Sequence, residues 1–497
     1  MIKSLTVLGG GNAGLMSALY LKTSVPDVKF TIIKSSKIGT IGVGEGSTEH
    51  WMYFAKAVGI SFVELVKECG ATFKMGLKFE NWHGDGTSYF HSLPTAFTHQ
   101  DPLTGVAHQM MGLIANGTST QDLNWKLPME GYVAEPFENV FQFHFDSEKL
   151  NAFLIKKSIE AGINIIEADI VNTNVDNEGF VESIVDTNGN VHFADFFIDS
   201  SGFNRVIASN VGAGWVDWSH YLPLNSVIAF QTPYQEELPP YTLARCMNAG
   251  WMWRAPVQER FGNGYVYDDR FITEEEALTE VQQYFDFPLK VGRKIKYKSG
   301  HVNKAWIKNV VSIGLSSNFV EPLEASSIST TIQQSRLLAT ALWNWTREDT
   351  ASPDKYNEVV DNMMHNILDF IQLHYYTQRE DTEFWRWVKN ELPRTEFIKN
   401  NLENFKTNFV NQLLLPEDGA ADNYMIYDCL NWIQVMHGLR MFDVDSIKEL
   451  YNRRCKQFYS KLDAEQLSYL PNEPTADYWF TCRDAINIIN NELKVQL

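Results

Sequence analysis

The N-terminal segment holds the feature that most constrains the fold of this chain. Residues 3–8, "KSLTVL", form a short β-type run, and the run "GGGNAG" follows directly at Gly9 to Gly14. The next residues, "LMSALYLKT", have helical periodicity, and a second strand-like run, "VKFTIIK", occupies residues 28–34. This order is that of a dinucleotide-binding βαβ unit. In such a unit Gly9 permits the tight turn, Gly11 lets backbone approach a pyrophosphate, and Gly14 lets the helix meet the sheet.

The end of the second strand bears on the ligand of this unit. NAD-binding units commonly have an acidic residue there that holds the adenosine ribose, whereas this strand ends "IIKSSK". The glycine-rich run "IGTIGVGEGST" at 38–48 offers many backbone N–H groups beside Glu45, which suits a long FAD. A second GxGxxG for NAD(P)H is absent from the sequence. FAD is therefore favoured over NAD, and its reducing equivalents are expected to come from elsewhere.

Later segments of the 497-residue chain predict how this unit is completed. Strand and turn patterns recur at 179–203 and again from about 309, where a strand, a Gly314 turn and a long helix follow one another. We predict an α/β fold with a Rossmann-type FAD-binding module, an inserted substrate domain and a helical C-terminal cap. The FAD module at 1–340 comprises pieces at about 1–80, 140–210 and 295–340, the substrate-side insertions lie at about 81–139 and 211–294, and the cap occupies 341–497.

Composition excludes several classes of partner. The chain has 42 Lys and Arg against 61 Asp and Glu, a formal charge of −19, which repels nucleic acid and anionic lipid. Its five cysteines have no CxxC spacing, so neither a disulfide framework nor a metal site is indicated. The N-terminal residues lack the pattern of a signal peptide, and the sequence has no apolar run of transmembrane length. We therefore expect a cytoplasmic protein without a membrane or nucleic-acid partner.

Several stretches together resemble one family, the flavin-dependent halogenases of the tryptophan-halogenase type. The resemblance runs from Gly9 to about Arg386, and "GWMWRAP" looks like the signature that separates these enzymes from flavin hydroxylases. The stretches that carry it are "GGGNAG", "GVGEGST", "ATFKMGLKFENW", "FQFHFDSEKLNAFL", "DSSGF", "GWMWRAPVQERFGNGYVY", "VSIGLSSNFVEPLEASSI" and "DTEFWRW".

The resemblance implies a GR2-like flavoprotein monooxygenase fold and a defined set of reactants. FAD is supplied as FADH2 by a separate flavin reductase, a halide ion is the co-substrate, and the substrate is a small aromatic; a homodimer is compatible with it. The cofactor-binding residues carried over are Gly9, Gly11, Ala13, Gly14, Ser35, Glu45, Gly46, Ile170, Gly314, Leu315 and Ile328.

In this family hypohalous acid forms beside the flavin and travels through a tunnel to a lysine. In "ATFKMGLKF" the family position falls on Lys74 rather than Lys78. A charged Lys74 would hold hypohalous acid by a hydrogen bond, whereas a haloamine would require the neutral amine, so burial decides between the two. Without the surrounding motif, a solvated surface lysine would be the simpler interpretation.

The motif "EPLEASS" supplies the remaining chemical groups that the resemblance implies. Glu324 matches the family carboxylate that stabilises the cationic intermediate or accepts its ring proton, and Glu321 falls outside the matching position. Either could instead be a helix N-terminal carboxylate. Where many relatives have Ser-Thr-Gly, this chain has Ala325-Ser326-Ser327, so Ser326 and Ser327 are the expected halide residues, and bromide or iodide preference is open.

The substrate region departs further from the family. His91 matches a position near the indole, although an ordinary hydrogen-bonded histidine is an equal alternative, and the aromatic partner two residues on is replaced by Leu93. The segment that clasps free tryptophan is not recognisable in "NYMIYDCLNWIQVMHGL". An indole or another electron-rich arene is therefore expected in place of free tryptophan.

Two other functions compete with halogenation. A flavin-dependent aromatic monooxygenase would hydroxylate a substrate held at the flavin, and an FAD-binding protein without turnover would retain Lys74 and Glu324 only as vestiges. Trp251 and Trp253, two apart in "GWMWRAP", are either strand core or a barrier that keeps the substrate away from the flavin.

Overall fold

The fold is taken from a computed structural model of the full chain. The residues that the structure describes are 2–39, 45–92, 105–117, 126–134, 137, 140, 142–411, 414–415, 424–454 and 479–492. Leu93 and the first part of the glycine-rich run, residues 40–44, lie outside them.

The helices and strands are numbered here in chain order over the described residues. The helices are α1 Asn12–Ser24, α2 Trp51–Val58, α3 Phe62–Cys69, α4 Gly105–Ala115, α5 Lys126–Met129, α6 Ser147–Glu160, α7 Glu274–Gln283, α8 Ser326–Leu342, α9 Ala351–His374, α10 Glu383–Asn390, α11 Glu396–Asn408, α12 Cys429–Gly438, α13 Val444–Arg454 and α14 Cys482–Glu492. The strands are β1 Ser4–Leu8, β2 Lys29–Lys34, β3 Glu45–Gly46, β4 Thr72–Phe73, β5 Gly76–Glu80, β6 Ser88–Ser92, β7 Tyr132–Ala134, β8 Phe143–Phe145, β9 Asn164–Glu167, β10 Ile170–Val175, β11 Val181–Asp186, β12 Val191–Phe193, β13 Phe196–Asp199, β14 Trp215–Asp217, β15 Ser226–Pro233, β16 Thr242–Met247, β17 Gly250–Val257, β18 Arg260–Tyr267, β19 Lys290–Lys296, β20 Gly300–Val302, β21 Trp306–Ile307, β22 Val310–Ser312, β23 Asn318–Phe319 and β24 Trp479–Thr481.

The first sheet has six strands in the order β21-β22-β13-β1-β2-β9 and includes the two N-terminal strands. All neighbours run parallel except β21, which is antiparallel to β22. Helices cover parallel sheets, and the apolar residues of β1 are buried as that arrangement requires. The sheet confirms the predicted Rossmann-type α/β fold.

The glycine turn after β1 has the geometry that its sequence predicts. Gly9 has φ +126°, and a Cβ there would lie 2.2 Å from the Ser200 carbonyl oxygen. A Cβ on Gly14 would lie 2.2 Å from the Gly9 carbonyl oxygen, so only glycine lets α1 approach the turn this closely. A Cβ on Gly11, in contrast, would meet nothing within 4 Å. The turn is thus tight on the sheet side and open at Gly11.

A second sheet has seven strands in the order β19-β15-β18-β17-β16-β5-β6. It is antiparallel except where β16 runs parallel to β5. β5 lies inside the predicted first FAD piece but pairs with this sheet, and the division into domains stays a prediction.

The C-terminal part of the described chain is helical, which confirms the expected helical region. α9 has 24 residues, and its buried face packs within the main hydrophobic core. Near the C-terminus β24 pairs with β7. Among the described residues, we find no helix that combines the length and the apolar character needed to cross a membrane.

The two tryptophans of β17 occupy one face of the second sheet. Trp251 is 1% exposed and its ring centroid lies 6.3 Å from that of Trp253. Trp253 is paired across the sheet with Gly264, and a Cβ on Gly264 would lie 1.9 Å from Cη2 of the indole. The Trp253 indole therefore occupies space that is free only because residue 264 is glycine.

We expect Gly264→Ala to lower the free energy of unfolding by about 2 kcal/mol, because the added methyl group overpacks a sheet face that has no room for it. Thermal or urea unfolding measures the change. Gly214→Ala is the control, because a Cβ at that exposed position would make only ordinary contacts with Asn303, the nearest at 3.4 Å. Equal stability of the two variants would contradict this account of Trp253.

Candidate active site

Lys74 lies inside the protein, immediately after β4. Its backbone N–H donates to the Gln142 carbonyl at 3.0 Å and its Nζ donates to the Ser47 carbonyl at 2.7 Å. The residue is 1% exposed, so the surface-lysine interpretation is wrong. Gly46 makes room for the ammonium, since a Cβ there would lie 3.2 Å from Nζ.

The surroundings of Lys74 adjust its proton affinity. Burial lowers the pKa of the amine to about 8, although the carboxylates of Glu324 and Glu49 act in the opposite direction. Glu49 is fixed beside this region because Gln142 Nε2 donates to its Oε2 at 3.2 Å. Lys74 is thus mainly cationic at neutral pH and becomes neutral within the alkaline range.

Glu324 occupies a strained turn just before α8. It has φ +67° and the next residue, Ala325, has φ +57°, a left-handed backbone that residues with a Cβ rarely adopt. The Tyr427 hydroxyl donates to the Glu324 carbonyl oxygen at 3.2 Å, and the Tyr427 ring stacks on Phe370 with centroids 4.1 Å apart. These contacts keep the side chain of Glu324 directed into the interior, where it is 1% exposed.

Two buried histidines hold the Glu324 carboxylate. His91 Nδ1 lies 2.8 and 2.9 Å from its two oxygens, and His374 Nε2 lies 2.9 Å from Oε1. Burial disfavours the ionised acid, but both histidines favour it more strongly, and they lower the pKa of Glu324 to about 2. Glu324 is therefore a carboxylate throughout the physiological range.

The hydrogen bonds on the far side of each histidine fix where the protons are. Asn431 Oδ1 accepts from the Asp428 N–H at 2.8 Å, so its Nδ2 is the group that donates to His91 Nε2 at 3.1 Å. His91 must then carry its proton on Nδ1 and donate it to Glu324. His374 Nδ1 donates to the Phe370 carbonyl at 2.9 Å, and its Nε2 lies 2.9 Å from Glu324 Oε1 on the opposite side of the ring.

Glu321 is a different kind of acid, although it lies only three residues earlier. It is fully buried, and the Tyr375 hydroxyl is 2.8 Å from each of its oxygens. Burial raises the pKa of Glu321 to about 8, so this group is neutral at pH 7. Of the two acids in "EPLEASS", only Glu324 is therefore ionised at pH 7.

The start of α8 offers backbone donors next to Glu324. Ser326 and Ser327 are its first residues, Ser326 being buried and Ser327 exposed. The helix has no side-chain cap and no acid in its first turn, and the first N–H groups of an α-helix lack partners within the helix. Such an end suits a small anion, as a halide site requires.

Four of the predicted cofactor residues, Gly9, Ala13, Gly14 and Gly314, lie together at the carboxyl edge of the six-stranded sheet. A Cβ on Gly314 would lie 2.6 Å from Cβ of Ala13, so the turn after β22 touches the first turn of α1. α1 is capped at Gly11 without a side-chain hydrogen bond or an acid, which suits a pyrophosphate. The remaining members lie at the end of β2 (Ser35), in β3 (Glu45 and Gly46), at the start of β10 (Ile170), in the 3-10 turn after β22 (Leu315) and in α8 (Ile328).

Sequence reasoning missed His374, Asn431 and Glu49. His374 is the last residue of α9 and ends the buried run "DFIQLH". A histidine at the end of a helix with such apolar neighbours was the available signal. Asn431 is the third residue of α12, where its side chain completes a capping box with Asp428. Within the described residues, no group of three His, Cys, Asp or Glu side chains could hold a metal ion.

Comparison with known proteins bears on this arrangement. The family model described as tryptophan halogenase matches residues 4–453. The tryptophan 6-halogenase ThaL of Streptomyces albogriseolus is 30% identical over 84% of this chain and 85% of its own length. The tryptophan 7-halogenase RebH of Lentzea aerocolonigenes is also 30% identical, over 82% of each chain.

Solved structures agree with these relatives. Xcc4156, a flavin-dependent halogenase from Xanthomonas campestris, superposes with a TM-score of 0.79 at 26% identity and covers 95% of this chain and 100% of its own. A tryptophan halogenase from Shewanella frigidimarina has the same fold, with a TM-score of 0.84 at 20% identity over 99% of this chain and 98% of its own. With the family model spanning nearly the whole length, the chain belongs to the tryptophan halogenase family.

Proposed function

We propose that this enzyme, a flavin-dependent halogenase that uses FADH2, O2 and a halide, delivers hypohalous acid to Lys74 for electrophilic halogenation of an indole or another electron-rich arene. The observation that carries the proposal is the burial of both Lys74 and Glu324, each 1% exposed, with His91 and His374 in contact with the Glu324 carboxylate. A separate flavin reductase supplies the reduced cofactor. We further infer a cytoplasmic location, where an NADH-fed reductase operates, and a homodimer remains a prediction.

The residues at the glycine turn would hold the cofactor. Gly11 and the uncapped N-terminus of α1 would bind its pyrophosphate, and Gly314 would let the turn after β22 approach the same site. Bound reduced FAD, with O2 and halide, supplies the hypohalous acid. Ser326 and Ser327 would hold the halide through backbone N–H groups at the start of α8, so the exchange of Ser-Thr-Gly for Ala-Ser-Ser keeps the donors.

Lys74 would activate the oxidant as a proton donor. A buried ammonium donates a strong hydrogen bond to the oxygen of hypohalous acid and so makes the halogen more electrophilic. Because its pKa of about 8 leaves it charged at neutral pH, we favour this form over a haloamine. The Ser47 carbonyl, which accepts from Nζ, holds the ammonium in position.

Glu324 would act on the arene. Attack on the halogen leaves a cation that must lose a ring proton, and a nearby carboxylate both stabilises that cation and accepts the proton. The low pKa of about 2 makes Glu324 a weak base, which suffices because a protonated arene is a very strong acid. His91 and His374 would keep the carboxylate ionised and oriented between turnovers.

The surroundings of His91 bear on the substrate. Both ring nitrogens are engaged, Nδ1 with Glu324 and Nε2 with Asn431, so His91 would offer a substrate only its ring face. We propose a substrate other than free tryptophan, because the tryptophan-clasping run is absent from "NYMIYDCLNWIQVMHGL". The stacked pair Phe370 and Tyr427 indicates that flat rings pack well beside Glu324.

Hydroxylation at the flavin is not favoured. A hydroxylase needs its substrate at the flavin, whereas halogenation works at a distance through a diffusible oxidant. Trp251, 1% exposed, and its neighbour Trp253 would form the barrier between the two places. This barrier role stays a prediction.

Lys74→Met should abolish halogenation while FAD binding and peroxide production continue, because only the activation of the oxidant is removed. The assay supplies FAD, a flavin reductase, NADH, O2 and bromide or chloride with a panel of indoles and phenols, and mass spectrometry reads halogen isotope patterns. Lys78→Met is the matched control, because that lysine lies over the Tyr241 ring. Oxygenated products with the wild type, or a normal halogenation rate with Lys74→Met, would refute the proposal.

Glu324→Gln should lower the halogenation rate about a hundredfold or more, because the amide neither balances the arene cation nor accepts its proton. Glu321→Gln should have little effect on that rate, since Glu321 is already neutral at pH 7. Single-turnover halogenation and retained FAD binding are measured for both variants. The assignment of the two acids fails if the variants lose activity equally.

Halogenation should decline as the pH rises through about 8, while peroxide production does not follow that curve. Burial lowers the pKa of Lys74 to about 8, so the ammonium is the main form below that pH and is progressively lost as the pH rises through it. The pH dependence of kcat/KM for product and for peroxide is compared. A halogenation rate that rises through pH 8 would instead identify the neutral amine, and thus a haloamine, as the active form.

A further inference from the structure

The end of β2 lacks the residue that usually binds the adenosine ribose of a dinucleotide. In βαβ units an acid near this point accepts a hydrogen bond from a ribose hydroxyl. Here β2 ends at Lys34, and Ser35 and Ser36 follow. A dinucleotide on the glycine turn would therefore need its acceptor from elsewhere.

The neighbouring strand brings two carboxylates to this point. β9 runs parallel to β2 with Lys34 opposite Glu167, so both strands end at the same edge. Glu167 accepts from Lys34 Nζ at 2.9 Å and from the Ser36 N–H. Asp169, two residues later, accepts from the Ser35 hydroxyl and from Lys37.

This edge is continuous with the glycine turn. The Gly9 N–H donates to the Ile33 carbonyl at 2.8 Å, and a Cβ on Gly10 would lie 2.5 Å from Cβ of Lys34. On the other side Ile170, a predicted cofactor residue, follows Asp169 directly. A ligand whose pyrophosphate lies on the turn would place its adenosine next to these carboxylates.

Both carboxylates can accept further hydrogen bonds. The side chains of Glu167 and Asp169 are 49% and 27% exposed. Hydrogen bonds from Lys34 and Ser36 lower the pKa of Glu167, and hydrogen bonds from Lys37 and Ser35 lower that of Asp169, so both are ionised. A carboxylate has about four lone-pair positions, and the lysine and serine donors occupy only part of them. The two lysines balance the charge, so that the edge does not repel a diphosphate.

We propose that Glu167 and Asp169 bind the adenosine ribose of FAD and replace the acid missing at the end of β2. The substitution works because neighbouring parallel strands end at one edge, so a residue of β9 reaches the place usually served by β2. Lys34 and Ser36 orient Glu167, and Ser35 and Lys37 orient Asp169. The inference rests on the proposed use of FAD.

The test uses the full-length protein and competition of nucleotides with FAD, read by flavin fluorescence. With the wild type, ADP should compete about tenfold better than 2′-deoxy-ADP or 3′-deoxy-ADP, the ratio typical of one hydrogen bond to a charged acceptor. ADP should lose this advantage in Glu167→Gln, in Asp169→Asn and in the double variant. Affinity for FMN, which has no adenosine, should not change in any of them. Glu178→Gln, an exposed carboxylate outside this edge, is the control and should behave as wild type.

The outcomes separate this inference from the proposed function. Equal competition by ADP and both deoxy nucleotides with the wild type would overturn the ribose contact, whatever the variants do. An unchanged ADP advantage in both variants, or a parallel loss of FAD and FMN affinity, would overturn it as well. Failure of the wild type to bind FAD would instead refute the proposed function.

Discussion

The structure depends on keeping an ammonium and a carboxylate charged in a region from which water is excluded. Transfer of either ion into a protein interior costs several kcal/mol unless hydrogen bonds and opposite charges offset it. Glu324 has hydrogen-bond contacts with two histidines, Lys74 donates to a backbone carbonyl, and the charge of Glu324 favours the ammonium. The surrounding elements can be understood by how they supply these partners.

The partners come from parts of the chain that are distant in sequence. Lys74 follows β4, which pairs with β8, Glu324 lies in a left-handed turn before α8, and His374 is the last residue of α9. The strained backbone at Glu324 is stable only because packing and the Tyr427 hydroxyl hold it. A rigid frame of two sheets and one long helix is therefore a requirement of the site, since small shifts would leave a buried charge without its partner.

Local sequence predicts those features whose cause is local. Glycine is required at positions 9 and 14 because a Cβ at either would lie 2.2 Å from a backbone carbonyl oxygen. These glycines predict the βαβ unit before any tertiary contact is known. Lys74 and Glu324 lie in recognisable motifs, so resemblance sufficed to find them. Burial lowers the pKa of Lys74 and raises the pKa of Glu321. This burial results from tertiary packing, so the local sequence around each residue does not predict it.

The contact of both His91 and His374 with Glu324 could not be predicted for the same reason. Asn431 and His91 are 340 residues apart, and only the folded chain shows that an amide in a helix cap fixes the tautomer of a ring in β6. Asn431 and Tyr427 belong to "NYMIYDCLNWIQVMHGL", so the segment that departs from the tryptophan-clasping run also contacts the His91 ring and the Glu324 backbone. The helix cap and α9 hold the Glu324 cluster through contacts among the protein's own side chains, so the position of the carboxylate is fixed by the fold before any ligand binds.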